Sequence, residues 1–197
     1  MASFRFTTPP SEAAVRQLKA GDSVTLDGVV FGIRDAGLIR LFDQGVPCPV
    51  DLRGAALLHT APNVRKLPDG RYEPLSIGTT TSLRMDRYTE PLLRDHGVRA
   101  ILGKGGLSAS SAALMARYGA VYLSVTGGAA AGQTLQTEAI ERVFWEDLMP
   151  ECLWQFRVKG MGPLIVGIDA QGNNLQLDVQ GEAERRSADI LRKMGVA

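Results

Sequence analysis

Hydroxyls and cations gather in two stretches of this chain. One reads Ser76-Ile77-Gly78-Thr79-Thr80-Thr81-Ser82-Leu83-Arg84, and the other runs from Val98 through Leu102 into Gly103-Lys104-Gly105-Gly106. Three threonines behind a glycine make poor helix interior and good loop. Arg84 falls four residues after Thr80, so a single helical turn presents both on one face. Lys104 ends a mostly apolar run and sits among glycines, where a strand's carboxyl end meets a tight turn. Two cations and a row of hydroxyls at element termini suit a small anionic ligand. The plain alternative is a solvated loop with unrelated surface charges. A phosphate-loop reading fails, because Val98 stands where that motif needs its first glycine and Gly105 where it needs Ser or Thr. What remains is a glycine turn whose backbone N–H groups and ammonium can approach one anion, or a turn with an exposed lysine.

Arg34 stands at a strand-to-helix junction, a place equally suited to a ligand-binding arginine and an ordinary surface one. His59 closes an apolar run and reads as a hydrogen-bonded core histidine ahead of a catalytic base. Phe144, Trp145, Trp154 and Phe156 fit core or interface packing better than a base-stacking platform. Gly127-Gly128 reads as the turn that starts a helix, with backbone donors as a secondary use.

The elements that must hold these groups follow from pattern. Residues 1–10 read as an arm ending in Pro9-Pro10, and Ser11 caps a short helix closed by Gly21. Residues 22–33 alternate about Asp27-Gly28, which predicts a β-hairpin delivering Arg34 to the end of its second strand. Asp35 is expected to cap the next helix, with Leu38, Ile39 and Phe42 as its apolar face. Residues 54–59 predict a buried strand, and 71–77 a strand returning after the Pro68-Asp69-Gly70 turn. Short helices follow at Thr89-Glu90-Pro91 and from Ser108 to Gly119. Strands are expected over 120–125, 140–145, 153–158 and 163–168, and a charged helix over 182–194. Repeats and linkers are absent, so one domain spans 1–197, mixed α/β with several packed layers.

Composition excludes several roles. A net charge of +1 gives no electrostatic case for nucleic acid or a membrane surface. No apolar run approaches a membrane span. The two cysteines, Cys48 and Cys152, cannot hold a cluster alone and suggest a reducing, cytoplasmic setting. His59 and His96 lie far apart in sequence, so a histidine-based metal site is not expected.

Several ordered blocks carry a family resemblance: Gly32-Ile33-Arg34-Asp35, His59 through Val64-Arg65-Lys66, Gly78 to Met85, Gly103 to Gly106, Met149-Pro150-Glu151 with Leu153-Trp154, and Gly162 to Asp169 with Gly172-Asn173-Asn174. Through them the chain resembles the class I (iron–sulfur) fumarase / L(+)-tartrate dehydratase family in its β-subunit form, equivalent to the C-terminal domain of single-chain class I fumarases. The resemblance implies a swivelling β/β/α domain. It implies a partner α subunit carrying a 4Fe–4S cluster on three cysteines, in an α2β2 assembly. It implies dehydration of a small 2-hydroxy dicarboxylate: tartrate to oxaloacetate first, malate/fumarate next, mesaconate-type substrates third. Carried over by position, Thr80 matches the catalytic base, and Arg34, Arg84 and Lys104 match groups that bind substrate carboxylates. Lys104 is also the local cation expected to favour the Thr80 alkoxide. Two positions depart from the pattern: Thr79 replaces a proline, and Leu38 replaces the histidine of an Arg-Asp-x-x-His run. The loss at Leu38 motivates a rival reading, a subunit that binds a dicarboxylate or a partner without turnover.

Overall fold

The computed structural model describes residues 1–126, 128 and 130–196. The elements are β1 (Ser3–Thr7), α1 (Glu12–Val15), β2 (Ser23–Ile33), α2 (Asp35–Leu38) running into a π-turn over Ile39–Asp43, β3 (Ala56–His59), β4 (Asn63–Lys66) and β5 (Tyr72–Ser76). A 3₁₀ helix over Ser82–Tyr88 leads into α3 (Thr89–Arg94), followed by β6 (Ala100–Gly103), α4 (Ala109–Tyr118), β7 (Val121–Ser124), α5 (Ala130–Leu135), β8 (Thr137–Phe144), β9 (Leu153–Ile168) and α6 (Leu175–Lys193).

The main sheet runs β1-β2-β3-β6-β7-β9-β8, and β2 also pairs with β9. The strands β2, β3, β6, β7 and β9 therefore close into a ring, with β1 and β8 as flanks. Short alternating strands explain how two cores arise. Along β3, Ala56 and Leu58 join the cluster that contains Val30, Leu102, Leu123, Trp154 and Phe156. Leu57, one position out of phase, joins Ile33, Leu38, Met85, Ile101, Met115 and Tyr122 beneath the helices. A period of two sends successive side chains to opposite faces, so one set fills the ring and the other seats the helical layer. This mixed α/β, barrel-like arrangement is the expected swivelling β/β/α class.

Three local expectations are corrected. The N-terminal arm is strand β1, paired in parallel with Ser23 to Asp27 of β2. The predicted hairpin is one continuous strand, because β2 finds partners on both sides: β1 and then β3 in parallel, and β9 antiparallel. Asp27-Gly28 makes a register shift there instead of a turn. The Asp27 carboxylate accepts from Arg5 Nε at 2.6 Å and from the Gly160 N–H at 2.8 Å. Gly28 has φ of 104°, and a Cβ would come within 2.8 Å of Thr8 Oγ1; only glycine takes that bend without strain. The two strands expected over 153–168 are likewise one, a 16-residue β9 that bends around the ring. The remaining helix and strand expectations match in type, with α6 beginning at its Asn174 cap. Gly127 of the predicted Gly127-Gly128 turn lies outside the described residues.

Among the described residues, no helix is long and apolar enough to cross a membrane. The four parallel pairings fix where chemistry can sit. β2, β3, β6 and β7 run side by side in one direction, so the residues that follow Ile33, His59 and Gly103 emerge at one edge of the ring.

Candidate functional site

Arg34 leaves β2 at that edge in extended backbone, with φ of −151° and ψ of −154°. It occupies the cap position of α2 that had been expected for Asp35, while Asp35 lies in the first turn. The reason is visible in the partners. The Asp35 carboxylate turns outward: its Oδ2 accepts from Arg34 Nε at 2.9 Å and from Arg84 Nη2 at 3.0 Å. Glu151, brought from the far end of the chain, lies 3.3 Å from Arg34 Nε through Oε1 and accepts the Ala36 N–H at 2.8 Å through Oε2. One carboxylate oxygen thus draws two guanidinium groups together, and a second carboxylate steadies the inner one. The Arg34 side chain is 22% exposed and that of Arg84 51%, so Arg34 is the more strongly held.

Thr80 and Arg84 meet, although not by the route expected. Thr80 lies before the 3₁₀ helix rather than on it, and Thr81 is the cap position. Arg84 Nη2 nevertheless donates to Thr80 Oγ1 at 3.0 Å. The tripeptide Thr80 to Ser82 is pinned on both sides. The Thr80 N–H donates to the His59 carbonyl at 2.8 Å, the Ser82 N–H to the Lys104 carbonyl at 3.0 Å, and the Lys104 N–H to the Thr80 carbonyl at 3.3 Å. Bridges Thr60–Thr79 and Thr81–Lys104 lay this segment across the carboxyl ends of β3 and β6. Arg34, Asn63, Ser76, Gly78 and Thr80 line a cleft of about 220 Å³.

Lys104 belongs to the same edge through its backbone. Its half-buried side chain makes no ion pair among the described residues. The cation touching Thr80 Oγ1 is Arg84. A guanidinium donating into a hydroxyl oxygen favours negative charge on that oxygen, and a second cation, the Lys104 ammonium, stands at the same edge with no ion pair among the described residues.

Behind this surface lies a buried polar chain. His59 is 1% exposed, and its Nδ1 is 3.0 Å from Ser82 Oγ. Tyr122 Oη donates to the same Ser82 oxygen at 3.0 Å. Burial pushes the His59 pKa down to about 4, against a smaller upward pull from the Asp35 carboxylate. The expectation of a core histidine is met. Burial also raises the Tyr122 phenol, so it serves as a donor.

Two groups central to this geometry escaped sequence reasoning. Asp35 reads as a helix cap, and only its adjacency to Arg34 hints at an ion pair. Glu151 sits 115 residues from its Ala36 partner, in a Met-Pro-Glu turn with no local signal of a site. Leu38, where the resemblance leads one to expect a histidine, is fully buried among apolar side chains.

No group of three or more His, Cys, Asp or Glu converges as a metal site among the described residues. The thiols present, half-buried Cys48 and buried Cys152, do not fit a cluster that needs three thiolates.

Residues 3–179 match the family described as Fumarase C-terminus. The chain is 39% identical over 170 residues to the L(+)-tartrate dehydratase subunit beta of Escherichia coli strain K12, covering 86% of this chain and 84% of that one. It is 32% identical over 182 residues to a putative L(+)-tartrate dehydratase subunit beta of Methanocaldococcus jannaschii, covering 90% and 93%. It is 36% identical over 173 residues to a putative class I fumarate hydratase of Geobacillus stearothermophilus, covering 87% of this chain but 33% of that longer protein. The edge that gathers Arg34, Thr80, Arg84 and Lys104 is thus built on a chain that belongs to the Fumarase C-terminus family, among the hydro-lyases whose β subunits include that of tartrate dehydratase.

Proposed function

We propose that this chain is the β subunit of a hydro-lyase that dehydrates a small 2-hydroxy dicarboxylate, L(+)-tartrate to oxaloacetate before malate to fumarate. The observation that carries this reading is the convergence of Arg34 and Arg84 on one carboxylate oxygen, with the Thr80 hydroxyl in contact with Arg84. A site that already holds the Asp35 carboxylate between two guanidinium groups can hold a substrate carboxylate in the same way. Lys104, without an ion-pair partner among the described residues, is available for the second carboxylate.

Dehydration removes a C–H proton next to a carboxylate and expels hydroxide from the neighbouring carbon, so that one water leaves. Negative charge builds on the carboxylate beside the breaking C–H bond. Donors already aimed there stabilise that charge more than they stabilise the substrate. Thr80 is the proton acceptor in this reading, its alkoxide favoured by the Arg84 donor 3.0 Å away. Lewis-acid activation of the leaving hydroxyl is chemistry an iron–sulfur cluster would supply, and it is assigned to an α subunit because this chain's thiols do not fit a cluster; the α2β2 assembly rests on the family resemblance alone.

The test is anaerobic co-expression with the α subunit, verification of the cluster, and a dehydratase panel of tartrate, malate and citramalate. Turnover of at least one diacid is expected. A loaded pair that dehydrates none of them refutes the reading. Leu38 favours one second reading, a subunit that binds without turnover, because an apolar side chain there carries no proton. Tartrate binding to the loaded pair by calorimetry, with no product formed, would establish that alternative.

A further inference from the structure

His59 grips both ends of the tripeptide that carries Thr80. Its carbonyl accepts the Thr80 N–H at 2.8 Å, and its imidazole Nδ1 lies 3.0 Å from Ser82 Oγ. Ser82 opens the 3₁₀ helix on which Arg84 stands, so the side-chain contact bears on Arg84 as directly as the carbonyl bears on Thr80. The contact is built into the fold at some expense. A Cβ at Gly103 would fall 1.9 Å from Ser82 Oγ and 3.1 Å from Tyr122 Oη, so β6 must carry glycine where this polar chain passes. The other ring nitrogen, Nε2, is buried with no hydrogen-bond partner among the described residues. An orphaned buried polar atom lowers stability, so a purely structural position would be better filled by an apolar side chain.

The arrangement of protons is assigned from the shorter of the two Tyr122 contacts. Tyr122 Oη is 3.0 Å from Ser82 Oγ and 3.3 Å from the Gly105 carbonyl, so the phenol donates to Ser82. In that arrangement the Ser82 hydroxyl sends its own hydrogen to His59 Nδ1, the unprotonated nitrogen of a neutral ring. The remaining proton sits on Nε2.

We propose that His59, as the neutral Nε2-protonated tautomer held by Ser82 and Tyr122, is a positioning residue that sets Thr80 and Arg84 against each other. The inference deepens the hydro-lyase reading, since it takes Thr80 and Arg84 as that reaction's groups.

Two measurements on the full chain decide it without any turnover. The chain has two histidines, so nitrogen-15 ring spectra separate His59 from His96 at once. His59 is expected to show an unprotonated Nδ1 and a protonated Nε2 at neutral pH. Tyr122→Phe, which removes the donor to Ser82, is expected to move proton density to Nδ1. Amide exchange at Thr80 and Ser82 is expected to quicken by about tenfold or more in His59→Phe, and to stay near wild type in His59→Asn, whose amide keeps a polar atom at the Nδ1 position. Wild-type Nδ1 protonation, or exchange at Thr80 and Ser82 unchanged in His59→Phe, overturns the proposal. Should His59→Phe fail to fold, the same exchange measurement on Tyr122→Phe decides in its place, unchanged protection again counting against.

In the reconstituted pair, His59→Phe should lower kcat by on the order of 10- to 100-fold, with KM changing less and His59→Asn recovering most of the rate. Wild-type kcat in a folded His59→Phe pair also overturns it. If the wild-type pair proves inactive while the ring spectra and exchange behave as stated, the hydro-lyase reading fails and the positioning role of His59 stands.

Discussion

Acid should destabilise this protein through one imidazole before any carboxylate takes part. His59 is fully buried, and its pKa falls from 6.5 in the unfolded chain to about 4 in the fold. The direction of the linkage is set by which state binds more protons. Between those values the unfolded chain takes up a proton that the fold refuses, so stability is fully present above pH 6.5 and drains away as pH falls toward about 4. At about 1.4 kcal/mol per pH unit, the loss from about pH 8 to about pH 5 comes to about 2 kcal/mol, a sizeable share of a domain's total stability. The paired carboxylates act in a lower window. Asp22, held low by the Ala2 and Lys19 N–H groups, and Asp27, held low by Arg5, add stability above their ordinary value of 3.8 and lose it as pH falls through their still lower folded values. Urea unfolding at a series of pH values, for wild type and His59→Phe in parallel, isolates the histidine. The wild type should lose about 2 kcal/mol more than the variant over that interval. Parallel curves would refute the assignment, as would a ring-proton titration of His59 with a midpoint near its ordinary value.

Three further outcomes follow from the site and its supports. Arg84→Lys replaces a two-pronged donor by a point charge that cannot serve Asp35 Oδ2 and Thr80 Oγ1 together, so kcat/KM of the reconstituted pair should drop by on the order of 100-fold while Tm holds; wild-type kinetics would remove Arg84 from the site. Gly103→Ala drives a methyl group to 1.9 Å from Ser82 Oγ and should destabilise the chain by about 3 kcal/mol in urea, with an unchanged midpoint counting against the buried polar chain. Leu38→His places an imidazole in a fully buried apolar layer and should cost about 1–3 kcal/mol of stability; in the loaded pair it should also shift relative kcat/KM among tartrate, malate and citramalate, and an identical profile would make Leu38 silent in substrate choice.

The family, the mixed α/β class and most of the elements are legible in residue order, because they depend on local chemistry. Serine caps at Ser11 and Ser108, the Gly119 terminator and the apolar runs at β3, β6 and β7 are readable from neighbours a few residues away. Type and spacing also single out Thr80, Arg84 and Lys104 as suited to an anion, and the family resemblance adds Arg34. How they are wired is settled on folding. The Asp27-Gly28 pair looks like a turn until β1 and β9 supply partners on both sides of β2, and pairing across a sheet outweighs a two-residue preference. The same holds at the site. The resemblance points to Lys104 as the cation for the Thr80 alkoxide; in the fold the hydrogen bond to Thr80 Oγ1 comes from Arg84, while Lys104 joins the Thr80–Ser82 segment through its backbone and its side chain makes no ion pair among the described residues. Asp35, Glu151, Ser82, Tyr122 and His59 come from five separate elements or turns, and a hydrogen bond is decided by a few tenths of an ångström between groups that the chain brings together only on folding.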